Sequence, residues 1–336
     1  MGLDEDVPNV LFRLLGQGRP ASPLPDLAQR LSVSTAVIAD LLTRWRIEGL
    51  PLAGAGHDSP RLAPGFERLD AERIRAELDP RTRAWHRRLD CHAEVTSTNQ
   101  VLLDRAREQA IDGHLCLAEH QRAGRGRRGR PWSMPWGAGL CLSLGFRMGP
   151  MSMLPACLGI AAGIGAVRAI RRTGLATAGL KWPNDILCHD RKLGGILVET
   201  RVTPSGGGIA VVGIGINVAW PPFLSTFGDS PVDPGQPRID IRTALGRDVS
   251  RNALAAGVIS EVCEVLHAIE DHGFETLRAE WAAYDLVVGR PVRVLSSEGV
   301  VTGEARRLDP GGALIVAVGR TLRRFHSGEV SLRLGP

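Results

Sequence analysis

The stretch Leu115-Cys116-Leu117-Ala118-Glu119-His120-Gln121 feeds into the loop Gly124-Arg125-Gly126-Arg127-Arg128-Gly129-Arg130, and Leu140-Cys141-Leu142-Ser143-Leu144 follows it. Two apolar segments of strand character therefore flank a loop of three glycines and four arginines, with Arg122 just upstream. No hydrophobic residue pins that loop to a core. Glycine opens positive φ and close approach of backbone to a ligand. Arginine supplies planar forks that match phosphate and carboxylate oxygens. Arg/Gly runs also occur as solvated or RNA-binding segments. A short run between two buried strands is better explained as the lid of a site, mobile when empty and ordered by an anionic ligand.

The next informative segments lie downstream. Leu180-Lys181-Trp182-Pro183-Asn184-Asp185-Ile186-Leu187 and Asp190-Arg191-Lys192-Leu193-Gly194-Gly195-Ile196-Leu197-Val198-Glu199 read as two strands of a hairpin that turns near His189-Asp190. Pro183 inside the first strand marks an edge or a bulge. Two lysines, an Asn and an Asp are thereby gathered beside an apolar sheet. Surface polarity explains Lys192 poorly, because it precedes the apolar Leu193 to Val198. The strand Ile209 to Asn217 carries Gly213 and Gly215 two residues apart, which clears one face for a flat ligand, another backbone or tight packing. Residues 221–237 are a Pro/Gly/Ser-rich loop. Helical spacing returns in Ala253 to Leu266 and Phe274 to Tyr284. From Leu286 onward short strands predict a small β-barrel, with Asp309-Pro310-Gly311-Gly312 as a turn.

Upstream of the loop, Ser97-Thr98-Asn99-Gln100 opens a helix with capping-box spacing. Either it is a well-capped helix, or its hydroxyls and free N–H groups face a ligand. Trp132, just after the loop, is a core aromatic or a platform for a nucleobase. The charged stretch from Arg68 to Arg88 reads as a linker. Before it, Leu24 to Leu50 has helix-turn-helix spacing with Ser34 as an N-cap, and Pro51 to Pro64 looks like a two-stranded wing around Gly54-Ala55-Gly56. This winged helix-turn-helix pattern admits a DNA-binding reading and a reading as a helical unit used for contacts within the protein. The face of the second helix shows Ser34, Thr35, Asp40 and Thr43, with Arg44 and Arg46 only at its end, whereas affinity for DNA rests largely on Lys and Arg.

Composition bounds these readings. A chain of 336 residues accommodates two or three domains with ample core. A net charge of +5 suits an anionic ligand or partner without implying nucleic acid. The six cysteines have no CxxC pair, which points away from zinc and disulfide frameworks and towards buried thiols in a reducing cytoplasm. The acidic segment from Met1 to Asp6 lacks a signal-peptide pattern. The uncharged run from Met148 to Val167 is about long enough for a membrane span, yet its two prolines and four glycines predict a buried core helix.

Taken together, these segments resemble the bifunctional biotin–protein ligases that also repress biotin-synthesis genes, and the likeness runs over nearly the whole chain. It is carried by the winged helix pattern, the Ser-Thr-Asn helix start, the Gly/Arg loop and Lys-Trp-Pro-Asn-Asp. Asp-Arg-Lys-Leu-x-Gly-Ile-Leu-Val-Glu, Gly-x-Gly-Ile-Asn and the terminal Gly328-Glu329-Val330-Ser331-Leu332-Arg333 complete it. The resemblance implies an α+β chain: a winged helix-turn-helix domain at 1–80, a mixed-sheet α/β catalytic domain at 81–285 and an SH3-like β-barrel at 286–336. It implies ATP and Mg2+, formation of biotinyl-5′-adenylate from biotin, and transfer of biotin to a lysine of the biotin carboxyl carrier protein of acetyl-CoA carboxylase. Operator DNA and a homodimer are implied as further partners, and a membrane is not.

The resemblance also assigns roles. Lys192, Arg125 and Arg127 would neutralise the reacting anions, with Gly126 beside them in the loop. Asp185 would hold the metal or position the acceptor lysine. Biotin would lie against Ser97, Thr98, Asn99 and Gln121, with Gly194, Gly195 and Gly213 lining its slot. The nucleotide would meet Arg128, Arg130, Trp132, Asn184, Asn217 and Arg333. Lipoate–protein ligases share the catalytic fold and form the enzymatic alternative. A non-catalytic biotin-sensing DNA-binding regulator is the other. Two departures stand out: the second helix of the N-terminal unit is poor in cations, and residues 221–237 match poorly where the family has an adenylate-ordering loop.

Overall fold

The computed structural model describes residues 6–16, 22–54, 59–149, 155–202, 208–221, 237–296, 299–327 and 331–334. Most of the Pro/Gly/Ser-rich loop, the tip of the expected wing, residues 150–154 of the uncharged run and residues 328–330 of the terminal motif lie outside the described residues.

The N-terminal unit comprises α1 (Asp6–Leu15), α2 (Leu24–Leu31) and α3 (Thr35–Ile47), then the paired β1 (Leu52–Ala53) and β2 (Arg61–Leu62). Ser34 caps α3 as expected: its hydroxyl accepts from the Val37 amide at 3.3 Å. Gly49, at φ 94°, carries the chain off the helix end. The core of this unit is Leu11, Phe12, Leu27, Ile38, Leu42 and Trp45, and it extends without a break onto Ala93 and Trp136 of the central body.

The stretch expected to be a linker is packed instead. It forms α4 (Ala71–Glu77) and α5 (Pro80–Trp85), capped by the carboxylates of Asp70 and Asp79. Leu69, Ile74 and Leu78 belong to the central core. Charge around an amphipathic pair of short helices masked that apolar side.

The central body is a seven-stranded sheet ordered β3-β4-β5-β9-β8-β7-β6. Its strands are β3 (Arg88–Val95), β4 (His114–Gln121), β5 (Gly139–Met148), β6 (Gly179–Lys181), β7 (Asp185–Cys188), β8 (Arg191–Val202) and β9 (Gly208–Asn217). Only β3 and β4 run parallel, joined by α6 (Thr98–Arg105). β5 reads as a half-buried strand in sequence, yet it is buried on both faces apart from Arg147, because α6 covers one face of the sheet and α7 (Pro155–Arg172) and α9 (Arg251–His272) the other. α8 (Ile241–Leu245) and α10 (Arg278–Tyr284) complete the helices. α9 is, among the described residues, long and apolar enough to cross a membrane, but Val258, Val262, Val265 and Leu266 are buried in the core.

Residues 180–187 correct one expectation. They are not one strand but a hairpin, with β6 and β7 antiparallel and Lys181 opposite Asp185. Trp182-Pro183-Asn184 make the turn, and the Trp182-Pro183 bond is cis. Pro183 is therefore off the strand, at the sheet edge. The next turn falls where expected: His189 and Asp190 both have positive φ, 50° and 60°, as a two-residue hairpin of the primed type requires.

The C-terminal residues form a five-stranded antiparallel sheet ordered β13-β12-β11-β10-β14. Its strands are β10 (Pro291–Ser296), β11 (Gly299–Leu308), β12 (Leu314–Val318), β13 (Thr321–Phe325) and β14 (Ser331–Leu334). β13 has no counterpart in the sequence reading, because Thr321, Leu322, Arg323 and Arg324 are all exposed and show no apolar alternation.

Candidate active site

A single cavity gathers most of the residues singled out in the sequence. The loop forms its lid. It folds as a tight hairpin of its own, with Gly126 N donating to Arg130 O at 2.7 Å and Trp132 N to Gly124 O at 2.8 Å. Arg128 takes the left-handed conformation at the tip, φ 60°. Gly126, Arg128 and Arg130 line the cavity beside Arg125 and Arg127. The lid is tied down by contacts that sequence could not show. Arg125 donates to Gln100 Oε1 at 3.1 Å and approaches Glu199 at 3.4 Å. Arg127 donates to Asn184 Oδ1 at 3.2 Å, and burial pulls its proton affinity below that of a free guanidinium.

One wall is a network of uncharged polar side chains. Ser97 is the N-cap of α6 by position, yet its side chain makes no capping hydrogen bond, so the capping-box reading fails and the polar groups turn to the cavity. Gln121 Oε1 accepts from the Thr98 amide at 2.8 Å and from the Thr98 hydroxyl at 3.1 Å. The Ser143 hydroxyl lies 2.7 Å from the Thr98 hydroxyl and 2.6 Å from Asn99 Oδ1, its one proton shared between them. Asn99 Nδ2 donates to Glu199 at 2.8 Å. Thr98, Asn99, Gln121 and Ser143 are thus oriented by one another or by Glu199, which is how a site fixes an uncharged polar ligand.

The floor is β9. A Cβ on Gly213 would stand 2.3 Å from Asn99 Oδ1, so glycine there makes room for the amide.

At the closed end two ammonium groups meet one carboxylate. Lys181 Nζ and Lys192 Nζ each lie 2.7 Å from an oxygen of Asp185, one on each. Burial alone would raise the Asp185 pKa, but the charges of Lys192 and Lys181 overcome it and hold the carboxyl well below the usual range. Burial is also the dominant influence on Lys181 and pushes its pKa down, against the pull of Asp185. Lys192 Nζ also sits 5.9 Å from the Trp132 ring centre, over its face. Leu332 and Arg333 bring the C-terminal sheet to the same cavity.

Asp185 does not fit a protein-held Mg2+. Among the described residues it is the one acidic side chain lining the cavity, both its oxygens already face ammonium groups, and those residues contain no cluster of three or more His, Cys, Asp or Glu.

Ser97, Thr98, Asn99, Gln121, Trp132, Asn184, Asp185, Lys192, Gly195, Gly213 and Arg333 line the cavity, together with the five loop residues. Two expected residues do not. Gly194 turns towards β9, where a Cβ would meet Gly215 O at 2.6 Å. Asn217 is buried and donates to the backbone carbonyls of Lys192 and Ile239 at 3.2 and 3.1 Å, so it braces Lys192 from behind. Lys181, Ser143, Glu199 and Arg238 were not read as site residues. Lys181 stood in the quoted Lys-Trp-Pro-Asn-Asp and could have been found there. Arg238 follows a segment without a motif, and the other two are placed only by strand register.

Comparison with known proteins agrees with this geometry. Residues 92–217 match the biotin/lipoate A/B protein ligase family, and residues 287–333 match the biotin protein ligase C-terminal domain. The chain is 35% identical to the bifunctional ligase/repressor BirA of Salmonella typhimurium over 98% of each chain. It is 34% identical to the biotin–[acetyl-CoA-carboxylase] ligase of Mycobacterium tuberculosis over 81% of this chain and 98% of that one. The biotin protein ligase of Aquifex aeolicus, solved in complex with biotin and ATP, superposes with a TM-score of 0.61 at 25% identity, covering 74% of this chain and all of that one. With a lid, a polar wall and a glycine-cleared floor in one cavity, and a full-length likeness above 30%, this chain belongs to the biotin/lipoate A/B protein ligase family, among its biotin protein ligases.

Proposed function

We propose that the chain joins biotin to ATP as biotinyl-5′-adenylate and then transfers biotin to a lysine of the biotin carboxyl carrier protein of acetyl-CoA carboxylase. The observation that carries this is the pairing, within one cavity, of a neutral hydrogen-bonding wall with a cationic lid and a cationic closed end. In the first step the biotin carboxylate attacks the α-phosphorus of ATP and pyrophosphate leaves. Two anions must be brought together, so fixed positive charge where the pentacovalent phosphorus forms lowers the barrier. Lys192, Arg125 and Arg127 fill that role, each exchanging an internal acceptor (Asp185, Glu199 or Asn184) for substrate oxygens. Ser97, Thr98, Asn99 and Gln121 hold biotin over Gly213, with Gly195 beside it. Trp132, Asn184 and Arg333 hold the nucleotide, with Arg128 and Arg130 on its phosphates. Closure of residues 124–130 keeps water from the mixed anhydride. In the second step the carrier lysine attacks the acyl carbon and AMP leaves. A magnesium ion would be held by the phosphates of the nucleotide rather than by the protein.

The domain limits that go with this reading are a winged helix-turn-helix unit at 1–80, a catalytic unit at 81–285 and an SH3-like barrel at 286–336. The chain would act in the cytoplasm. Incubation with ATP and biotin, with mass detection of biotinyl-adenylate, tests the first step. Lipoate in parallel, with biotin and lipoyl carrier domains as acceptors, tests the substrate. Transfer of lipoate alone overturns the reading.

A second activity, repression at operator DNA by a homodimer, is favoured by the full-length likeness to a bifunctional ligase/repressor and by three helices followed by a two-stranded hairpin. Titrating salt against operator and random duplexes measures it.

A further inference from the structure

We infer that Lys181 is a positioning residue that shares Asp185 with Lys192 and so leaves Lys192 free to move onto the substrate anion. This rests on the ligase reading for its consequence and on geometry alone for its structural content.

A buried ion pair requires one cation for each anion, because an excess buried charge is costly. Here one carboxylate faces two ammonium groups at the same distance, 2.7 Å. The two lysines differ in freedom. The Lys181 side chain is 3% exposed and Lys192 is 20% exposed. Lys181 lies on β6, an edge strand, yet it is covered from outside the sheet. The next residue, Trp182, donates its indole N–H to Gly312 O at 3.0 Å, and the Leu286 amide donates to Leu180 O at 2.9 Å. Strand register sets Lys181 directly across from Asp185, and burial of its side chain leaves the ammonium little other room. Lys192 follows the His189-Asp190 turn at an irregularity in the β7–β8 pairing, and its side chain reaches both Asp185 and the face of Trp132.

The groups facing this centre from each packed element are Asp185 on β7, Lys192 on β8, Arg127 from the lid and Arg333 on β14. All but Asp185 are cationic. If Lys181 were neutral, the attraction of Asp185 would fall more heavily on Lys192 and oppose its move to a phosphate. With Lys181 in place, Asp185 remains compensated when Lys192 leaves. The closed end thereby keeps a surplus positive charge for a transferring phosphoryl group.

The test reads Lys192 itself, apart from turnover. Full-length Lys181→Met, Lys181→Gln, Lys181→Arg and the parent are pulse-labelled with acetic anhydride, and acetylation of the Lys192 peptide is measured by mass spectrometry. The Met and Gln variants should label Lys192 several-fold more slowly than the parent, because its amine is then held by the whole charge of Asp185. The Arg variant should label at nearly the parental rate. The double variant Lys181→Met/Asp185→Asn should return labelling to the parental rate or above. Adenylate formation should lose kcat in the Met and Gln variants with the KM for biotin unchanged. Lys181→Gln, which can still donate to Asp185, keeps the test open should the Met variant not fold. Parental labelling of Lys192 in a folded Met or Gln variant overturns the inference, and so does an Arg variant that loses as much as Met. Lost turnover with unchanged labelling overturns the inference and leaves the ligase reading standing; altered labelling in a protein that forms no adenylate does the reverse.

Discussion

The indole of Trp132 occupies the place a side chain on Gly215 would take: a Cβ built there falls 2.5 Å from the ring. The nearest alternative position for the ring is away from β9, because β9 is hydrogen-bonded on both sides by β5 and β8 and cannot yield. Gly215→Val should therefore lift Trp132 from the floor and raise the KM for ATP by about tenfold or more, equivalent to roughly 1.4 kcal/mol of binding. The KM for biotin should move less. Gly213→Ala should show the opposite pattern, since it displaces Asn99. Initial rates of adenylate formation, with one substrate varied and the other saturating, check both.

Removing Asp185 leaves two ammonium groups facing each other in a buried corner. Asp185→Ala should cost about 3–5 kcal/mol of stability, the range for breaking one side of a buried ion pair. Its titration gives a second signature. The folded protein holds this carboxyl below the usual range, so the stability it supplies is complete above the unfolded value of about 4 and is lost as pH falls below that. The melting-temperature gap between the parent and Asp185→Asn should accordingly be widest near neutrality and narrow in acid. A gap that does not change between pH 7 and pH 3 would contradict the charge pairing.

Lys192→Ala and Arg127→Gly should each lower adenylate formation by about two orders of magnitude or more, the cost of removing one preorganised donor at a charged transition state. Their thermal melts should stay close to the parent, because neither side chain belongs to an apolar core. Pyrophosphate release in single-turnover mixes measures the first step without the carrier. Normal release in both variants would remove the electrostatic mechanism.

Arg44 is one of the two cations at the end of α3, and it is turned inward. It forms a bidentate pair with Glu94 of β3 and reaches Glu48 at 3.3 Å. Glu94 has a side chain only 5% exposed. Arg44→Ala should thus loosen the N-terminal unit, lowering its melting transition by a few degrees, while changing affinity for random duplex little. A large loss of duplex affinity instead would mean that Arg44 leaves Glu94 to meet phosphate.

Features legible in the sequence were those set within a few residues. Ser34 as a cap, the His189-Asp190 turn and the Asp309 turn all follow from local dihedral rules, and each stands where expected. The Gly/Arg loop, Gly213 and Lys192 were legible as candidates from their residue types, and they do line one cavity. Tertiary structure decided the rest. The capping-box spacing at Ser97 goes unused: Gln100, the other member of the box, donates to Asp104 and accepts from Arg125 of the lid instead. Asn217 is buried against the Lys192 and Ile239 carbonyls, Arg44 pairs with Glu94, and the charged stretch after residue 68 joins the core. Lys181 became half of a shared ion pair only when register set it opposite Asp185. Local rules govern backbone torsions and near neighbours, whereas the partner of a buried charge is fixed by which strands pair and what covers them.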